Sequence, residues 1–334
     1  MFSQRLGIDL GTANSLVYLV GKGVVLNEPT VVAVSEEDGR VVAVGNEAKE
    51  MMGKTPPHIT VTRPMRDGVI ADYEVTEAML RYFLDKVCGA GRFFKPEVMI
   101  CVPAGVTQVE RRAVLEATMS AGAKVAYLID EPVAAAIGAK IPIAIPSGNM
   151  IVDIGGGSTE AAVISLGGVV VHRSARVAGN RLDEAIQSYI KKKSNLIIGE
   201  LTAEEIKIKI GYALKPEKES TMEVRGRDAF TGLPKTTMLS SNDTVEALKI
   251  PLSQVVTTVK GVLEETPPEL SSDIIDKGIV LSGGTSLLKM LDILLTNETG
   301  VPVHVAEDPL LCVAKGCGLA IENIEAYKRA VMKK

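Results

Sequence analysis

Two short stretches of the chain carry the same chemistry. Residues 7–18 read GIDLGTANSLVY and residues 151–164 read IVDIGGGSTEAAVI. Each is an apolar run, an aspartate, a glycine-bearing turn with hydroxyl side chains, and a second run that returns. A turn of this kind leaves backbone N–H groups facing an anion, while Asp9 and Asp153 would face a cation. Brought together, the two turns would clamp a nucleoside triphosphate and its Mg²⁺. The first turn offers Gly11, Thr12, Ala13 and Asn14, and the second Gly155, Gly156, Gly157 and Ser158. Mg²⁺ keeps most of its waters, so Asp9 and Asp153 are expected to act through them. One copy alone would read equally well as an ordinary hairpin turn. The duplication points to a shared site.

Other residues stand near such a site or apart from it. Glu131 follows an apolar run and precedes Pro132, at a strand end, where open α/β sheets place ligands. Asp130 should point the other way along the strand. Glu204 and Lys207 lie three apart on an expected helix and share a face, as an exposed ion pair or as part of a ligand site. Gly283 and Gly284 close another apolar run. Phe93 and Phe94 are adjacent between Arg92 and Lys95, in a chain with 5 Phe and no Trp. They would staple the loop to the core, or enter a membrane interface with the two cations at the lipid headgroups.

The elements that position these residues alternate. Strands are expected over 6–10, 15–20, 24–26, 31–35, 41–44, 98–102 and 126–129. Further strands follow in a hairpin over 150–165 and at 169–174, 222–225, 235–239, 278–281 and 303–305. Helices are expected over 48–52, 76–88, 132–139, 179–191, 286–295 and 310–321. The pattern T-x-x-E predicts caps for helices over 107–121 and 202–212. A helix over 241–265 is expected to break near Pro251. Gly138, Gly316 and Gly318 fall on two helices of small residues, suited to tight core packing or to a hinge. The order is that of a duplicated α/β fold with mixed sheets and a ligand cleft between its halves.

Composition bounds the partners. The 334 residues are 46% hydrophobic and 23% charged, with net charge −4; the pI is near 5.6 and the mean hydropathy +0.20. That balance argues against nucleic acid as a partner. Cys88, Cys101, Cys312 and Cys317 have no zinc spacing and read as reduced thiols of a cytoplasmic protein, with Cys312 and Cys317 buried on a helix. No run reaches the ~18 apolar residues of a membrane span. The first residues lack the apolar core of a signal peptide, and no export is expected.

The motifs together resemble the actin-like ATPases. GIDLGTANSLVYL and VDIGGGSTE are similar to the two phosphate motifs, IVLSGGTSLLKML to the adenosine motif, and DEPVAAAIGA and VAKGCGLA to the two connecting helices. The segments VVLNEPTVVAV, RPMRDGVIADY and TPPELSSDIIDKGI are similar to those of the MreB family of bacterial actins and paralogues such as Mbl. The resemblance spans nearly the whole chain. It implies four subdomains: domain I, residues 1–145 with 315–334, carrying an insertion at 33–65, and domain II, residues 146–314, carrying one at 182–245. It implies ATP or ADP with Mg²⁺ in the cleft and head-to-tail filaments beneath the cytoplasmic membrane. Wall-elongation proteins are the implied partners. By the same resemblance Glu131 and Ser158 hold the attacking water, and Glu204, Lys207, Gly283 and Gly284 surround the ribose and adenine. Ser158 stands where the family usually has Thr, keeping the hydroxyl but not the methyl that stiffens its rotamer. Thr285 replaces a third glycine of the adenosine motif. A small-molecule kinase or a chaperone-type ATPase would use the same fold. The first needs a substrate acid or base that the sequence does not display. The second needs a β-rich peptide-binding domain.

Overall fold

The structure, a computed structural model, describes residues 4–90, 94–328 and 330–333. Two large sheets share one plan. In the first, Arg5–Leu10, Asn14–Leu19 and Gly23–Pro29 form an antiparallel meander. Glu97–Val102 pairs in parallel with Arg5–Leu10, and Val125–Asp130 in parallel with Glu97–Val102. Val331–Lys333 adds an edge strand. In the second, Asn149–Ile154, Thr159–Ser165 and Gly168–Ala175 form the meander, and Ile279–Ser282 and Val303–Val305 follow in parallel. The repeat seen in two turns therefore extends through five strands on each side. Asn149–Ile154 is buried at every position, as befits a strand covered on both faces.

Between the sheets lie the helices Glu131–Gly138 and Cys312–Glu322. Their core draws Met99, Cys101 and Ile129 from the first sheet and Ile151, Ala162 and Ile164 from the second. Small side chains bring the two backbones into contact. A Cβ on Gly316 would overlap the Ala134 carbonyl oxygen, and one on Gly138 the Cys312 carbonyl. Cys312 and Cys317 are buried on this pair.

Each half carries a small sheet. Val32–Ser35, Val41–Val44 and Ile59–Thr62 form one. Leu196–Ile197, Thr221–Asp228 and Pro234–Ser240 form the other.

Several local expectations fail for physical reasons. The helix near Thr202 runs Glu200–Ile210 from Gly199, with no side-chain cap, so the T-A-E-E signal lies inside it. The helix Ser241–Glu265 continues through Pro251, held by Leu248, Leu252, Val255 and Val259 in the core. Its true cap is Ser240 with Asp243. The expected helix over 286–295 is a short 3-10 turn, Gly284–Leu287, and a later helix, Leu291–Thr299, separated by Met290 in the left-handed region. The helix Pro268–Lys277 was not expected; proline at its start is its signal.

Gly316→Ala should force the central helices apart and lower stability by roughly 1–3 kcal/mol, as overpacking does. Gly105→Ala, where a Cβ would make only an ordinary contact with the Ser174 Cβ at 3.6 Å, should stay within about 0.5 kcal/mol. Denaturant midpoints at constant m-value check the contrast; equal midpoints would contradict it.

Candidate functional site

The two glycine-bearing turns touch. A Cβ on Gly156 would fall 2.5 Å from the Ala13 Cβ, and one on Gly157 2.9 Å from the Thr12 Cβ. Thr12 corresponds to Gly156 and Ala13 to Gly157, so the contact has two-fold character. Only glycine in the second copy permits this approach.

Each turn is pinned from behind. The Thr30 hydroxyl donates to the Gly11 carbonyl (2.7 Å), and the Thr30 N–H to Ala13 (2.9 Å). The Gly68 N–H donates to the Thr12 hydroxyl at 3.0 Å. On the other side the Thr285 hydroxyl donates to the Gly155 carbonyl at 2.7 Å. Thr285, which breaks the glycine run of its motif, thus fixes the second turn. The N–H groups of Gly179 and Asn180, opening the helix Gly179–Ser194, donate to the Gly155 and Gly156 carbonyls.

A cleft of about 450 Å³ runs from these turns to the helices Asn46–Met51 and Glu200–Ile210. It is lined by Asp9, Gly11, Thr12, Ala13, Asn14, Glu131, Asp153, Gly155, Gly156, Gly157, Ser158, Glu204, Lys207, Gly283 and Gly284. Every residue expected at the nucleotide therefore borders one space. Phe94 lies elsewhere and is exposed. Phe93 lies outside the described residues.

At the floor three carboxyls converge. Burial, then Asp153, push Asp9 up to about 7, against a weak hydrogen bond from the Cys101 thiol. Burial, then Asp153, push Glu131 well above the carboxylate range. Glu131 also shares a hydrogen bond with Asp153. Asp153 is raised by burial, and the Ser282 hydroxyl donates to it at 2.6 Å. Like charges in a dry site oppose joint ionisation. Asp130, as expected, turns away and accepts from Arg111 at 2.7 Å.

The sequence reading did not find Glu160. It sits opposite Asp153 across the second hairpin, where the first copy has Leu16 opposite Asp9. That departure from the repeat was the available signal. Glu160 is 1% exposed, and burial lifts its carboxyl to about 7. The Ser174 hydroxyl donates to one of its oxygens; the other has no partner.

Glu204 and Lys207 do not pair with each other. Glu204 meets Lys49, on the helix Asn46–Met51 of the other half, at 2.8 Å. Arg63 meets Glu200 alongside at 2.6 Å. Lys207 turns inward to Asp183 (2.8 Å) and to the Gly179 carbonyl (3.0 Å). Gly283, at φ +82°, is required by the Ile154 backbone, against which a Cβ would press. Gly284 would meet only the flexible end of Leu310 at 2.8 Å. Ile208, Leu287 and Leu310 line the same end of the cleft with exposed apolar side chains, a slot the sequence reading also missed.

The family model described as MreB/Mbl protein matches residues 3–329. The chain belongs to the MreB/Mbl family. It is 50% identical over 333 residues to the cell shape-determining protein Mbl of Bacillus cereus, covering 100% of both chains. It is 52% identical over 333 residues to the cell shape-determining protein MreB of Escherichia coli, covering 98% of this chain and 96% of that one. Among solved structures, MreB5 of Spiroplasma citri bound to AMPPNP superposes with a TM-score of 0.93 at 37% identity, covering 98% of this chain and 99% of that one. The MamK double helical filament shares the fold, with a TM-score of 0.82 at 23% identity, covering 96% of this chain and 99% of that one. The duplicated α/β architecture of this family member is the actin-like one. Among the described residues no helix is long and apolar enough to cross a membrane.

A carboxyl whose pKa is higher folded than unfolded binds more protons when folded, so stability falls as pH rises between the two values. For Glu160 that window runs from its ordinary 4.5 to about 7. Asp9 acts in the same sense. The ligand-free protein should therefore lose stability from pH 5 to pH 8. Glu160→Gln should remove on the order of 2–3 kcal/mol of that loss. Melting temperatures across the range check this; an unchanged slope in the variant would contradict it.

Proposed function

We propose that this chain binds ATP with Mg²⁺ in the cleft, hydrolyses it, and couples hydrolysis to head-to-tail polymerisation. The filaments would lie on the inner face of the cytoplasmic membrane and organise wall synthesis and rod shape. The observation that carries this reading is the direct contact of the two Asp-bearing turns within a cleft that also holds Glu131. The relatives' names support it: Mbl and MreB are called cell shape-determining, and MreB5 was solved with ADP and with AMPPNP. Residues 1–145 with 315–334 would form one jaw and 146–314 the other.

The floor of the cleft suits Mg²⁺. Among the described residues no cluster of three or more His, Cys, Asp or Glu is arranged to hold a metal by itself. Mg²⁺ bound with a nucleotide takes one or two carboxylates, phosphate oxygens and water, and needs no such cage. Asp9 and Asp153 are hard oxygen donors whose crowding a cation would relieve. When bound, Mg²⁺ supplies charge that offsets the β- and γ-phosphate oxygens.

The chain's own residues supply positioning. Backbone N–H groups of both turns bracket the phosphates. The Ser158 hydroxyl and the Glu131 carboxylate hold the attacking water, and Glu131 accepts its proton. Glu131 takes that proton only after losing its own. Positive charge near Asp153 favours that loss. Ile208, Leu287 and Leu310 receive the base.

Wild-type protein should scatter light on addition of ATP and Mg²⁺ and release phosphate. Glu131→Gln should bind ATP within a few-fold of wild type and slow phosphate release about 10²–10⁴-fold. No ATP-dependent scattering by the wild type, or full hydrolysis by the variant, would refute the respective half of the proposal.

Membrane attachment would come from the loop at Phe93 and Phe94, the latter 56% exposed. Two inserted Phe side chains would contribute roughly 3–6 kcal/mol, at about 1.5–3 each. That is weak for one subunit and strong for a filament presenting many loops. Phe93→Ala with Phe94→Ala should sharply reduce co-sedimentation of filaments with anionic liposomes while sparing nucleotide binding. Undiminished sedimentation would remove the idea.

A further inference from the structure

Asp183 is unaccounted for by the chemistry above. It lies one turn into the helix Gly179–Ser194, is 5% exposed and borders the cleft. Lys207 donates to its Oδ2 at 2.8 Å. Its Oδ1 is buried and has no hydrogen-bond partner. An orphan carboxylate oxygen is costly to keep, because its desolvation is uncompensated. Of the four buried side-chain atoms left without partners among the described residues, this one belongs to a residue of the cleft wall.

Its place between two landmarks selects the missing donor. The start of the helix is bonded to the second glycine turn, through Gly179 to Gly155 and Asn180 to Gly156. Asp183 lies four residues further on, about 6 Å along the helix. Beyond it, next to Lys207, Ile208 opens the apolar slot. In a nucleotide the sugar joins phosphate to base. A ligand with phosphates at the turn and its base in the slot therefore brings ribose hydroxyls past Asp183.

We propose that Asp183 is the sugar-reading residue of this site, its unshared oxygen accepting a hydrogen bond from a ribose hydroxyl while Lys207 holds the other oxygen. Torsion about χ2 of Asp is soft, so a rotation within its rotamer well would bring Oδ1 toward the cleft. Burial raises Asp183 to about 6 despite Lys207, which leaves it ionised at neutral pH. A charged acceptor makes the stronger kind of hydrogen bond. The carboxylate thus separates ribonucleotides from deoxyribonucleotides, because a missing hydroxyl leaves it unpaired. Glu204, which faces the same space, is engaged by Lys49.

This inference rests on the nucleotide reading of the cleft, and the test separates the two. Affinities of ATP, 2′-deoxy-ATP and 3′-deoxy-ATP with Mg²⁺ are compared by calorimetry on wild type, Asp183→Ala and the isosteric Asp183→Asn. Wild type should bind one of the deoxy analogues about 10–100-fold more weakly than ATP. Asp183→Ala should weaken ATP binding and bring all three within about two-fold. Asp183→Asn, which preserves the packing should the alanine variant not fold, should retain less than half the discrimination on a logarithmic scale. Equal wild-type affinities for all three would overturn the inference and leave triphosphate binding standing. So would undiminished discrimination in both variants. If the variants instead lose preference for ATP over its analogue without the 6-amino group, Asp183 reads the base and the inference falls. Absence of any nucleotide binding would overturn both readings.

Discussion

Three carboxyls crowd the floor of the cleft, and they cannot all be ionised in a dry site. Asp9, Glu131 and Asp153 come from two sheets and a connecting helix, and each is pushed up by burial. Among the described residues no lysine or arginine forms an ion pair with any of them. Burial without compensation is unfavourable, so the arrangement persists only because the rest of the fold over-determines it. The turns are pinned through Thr30 and Thr285, and the strands carrying the aspartates lie in the middle of their sheets. A site poised in this way is stabilised by whatever brings positive charge to it.

What was legible in the sequence follows from how local each feature is. The two turns could be read because aspartate, glycines and hydroxyls fall within a few residues and recur. Capping by Thr107 and Glu110 could be read for the same reason. The facing of the two turns followed from the repeat. Partner choice did not. Glu204 and Lys207 share a helix face, yet tertiary packing sends one to Lys49 and the other to Asp183. Pro251 could not be read correctly because the burial that overrides its missing N–H lies on distant elements. Glu160 was hidden by the same repeat that exposed its neighbours. It is a buried position where an acid replaces a leucine, so it falls outside what recurs.

The rim of the cleft answers to a different physics from its floor. Lys49, on the helix Asn46–Met51, meets Glu204, and Arg63 meets Glu200, so both pairs reach the helix Glu200–Ile210 across the opening. These pairs are partly solvated, so each is weak and sensitive to salt. The floor is dry, fixed by hydrogen bonds and indifferent to ionic strength by comparison. A nucleotide would thus be gripped by rigid backbone at its phosphates and enclosed by contacts that break readily above its base.

The bare crossing of the central helices sets what the halves can do. Where Gly316 lies on Ala134 and Gly138 on Cys312 there is no side chain to interlock, only smooth backbone on backbone. Such a joint resists being pulled apart, because separation opens a void in a close-packed interior. At those two points the angle between the halves is therefore keyed by backbone shape and not by an interlocking side chain.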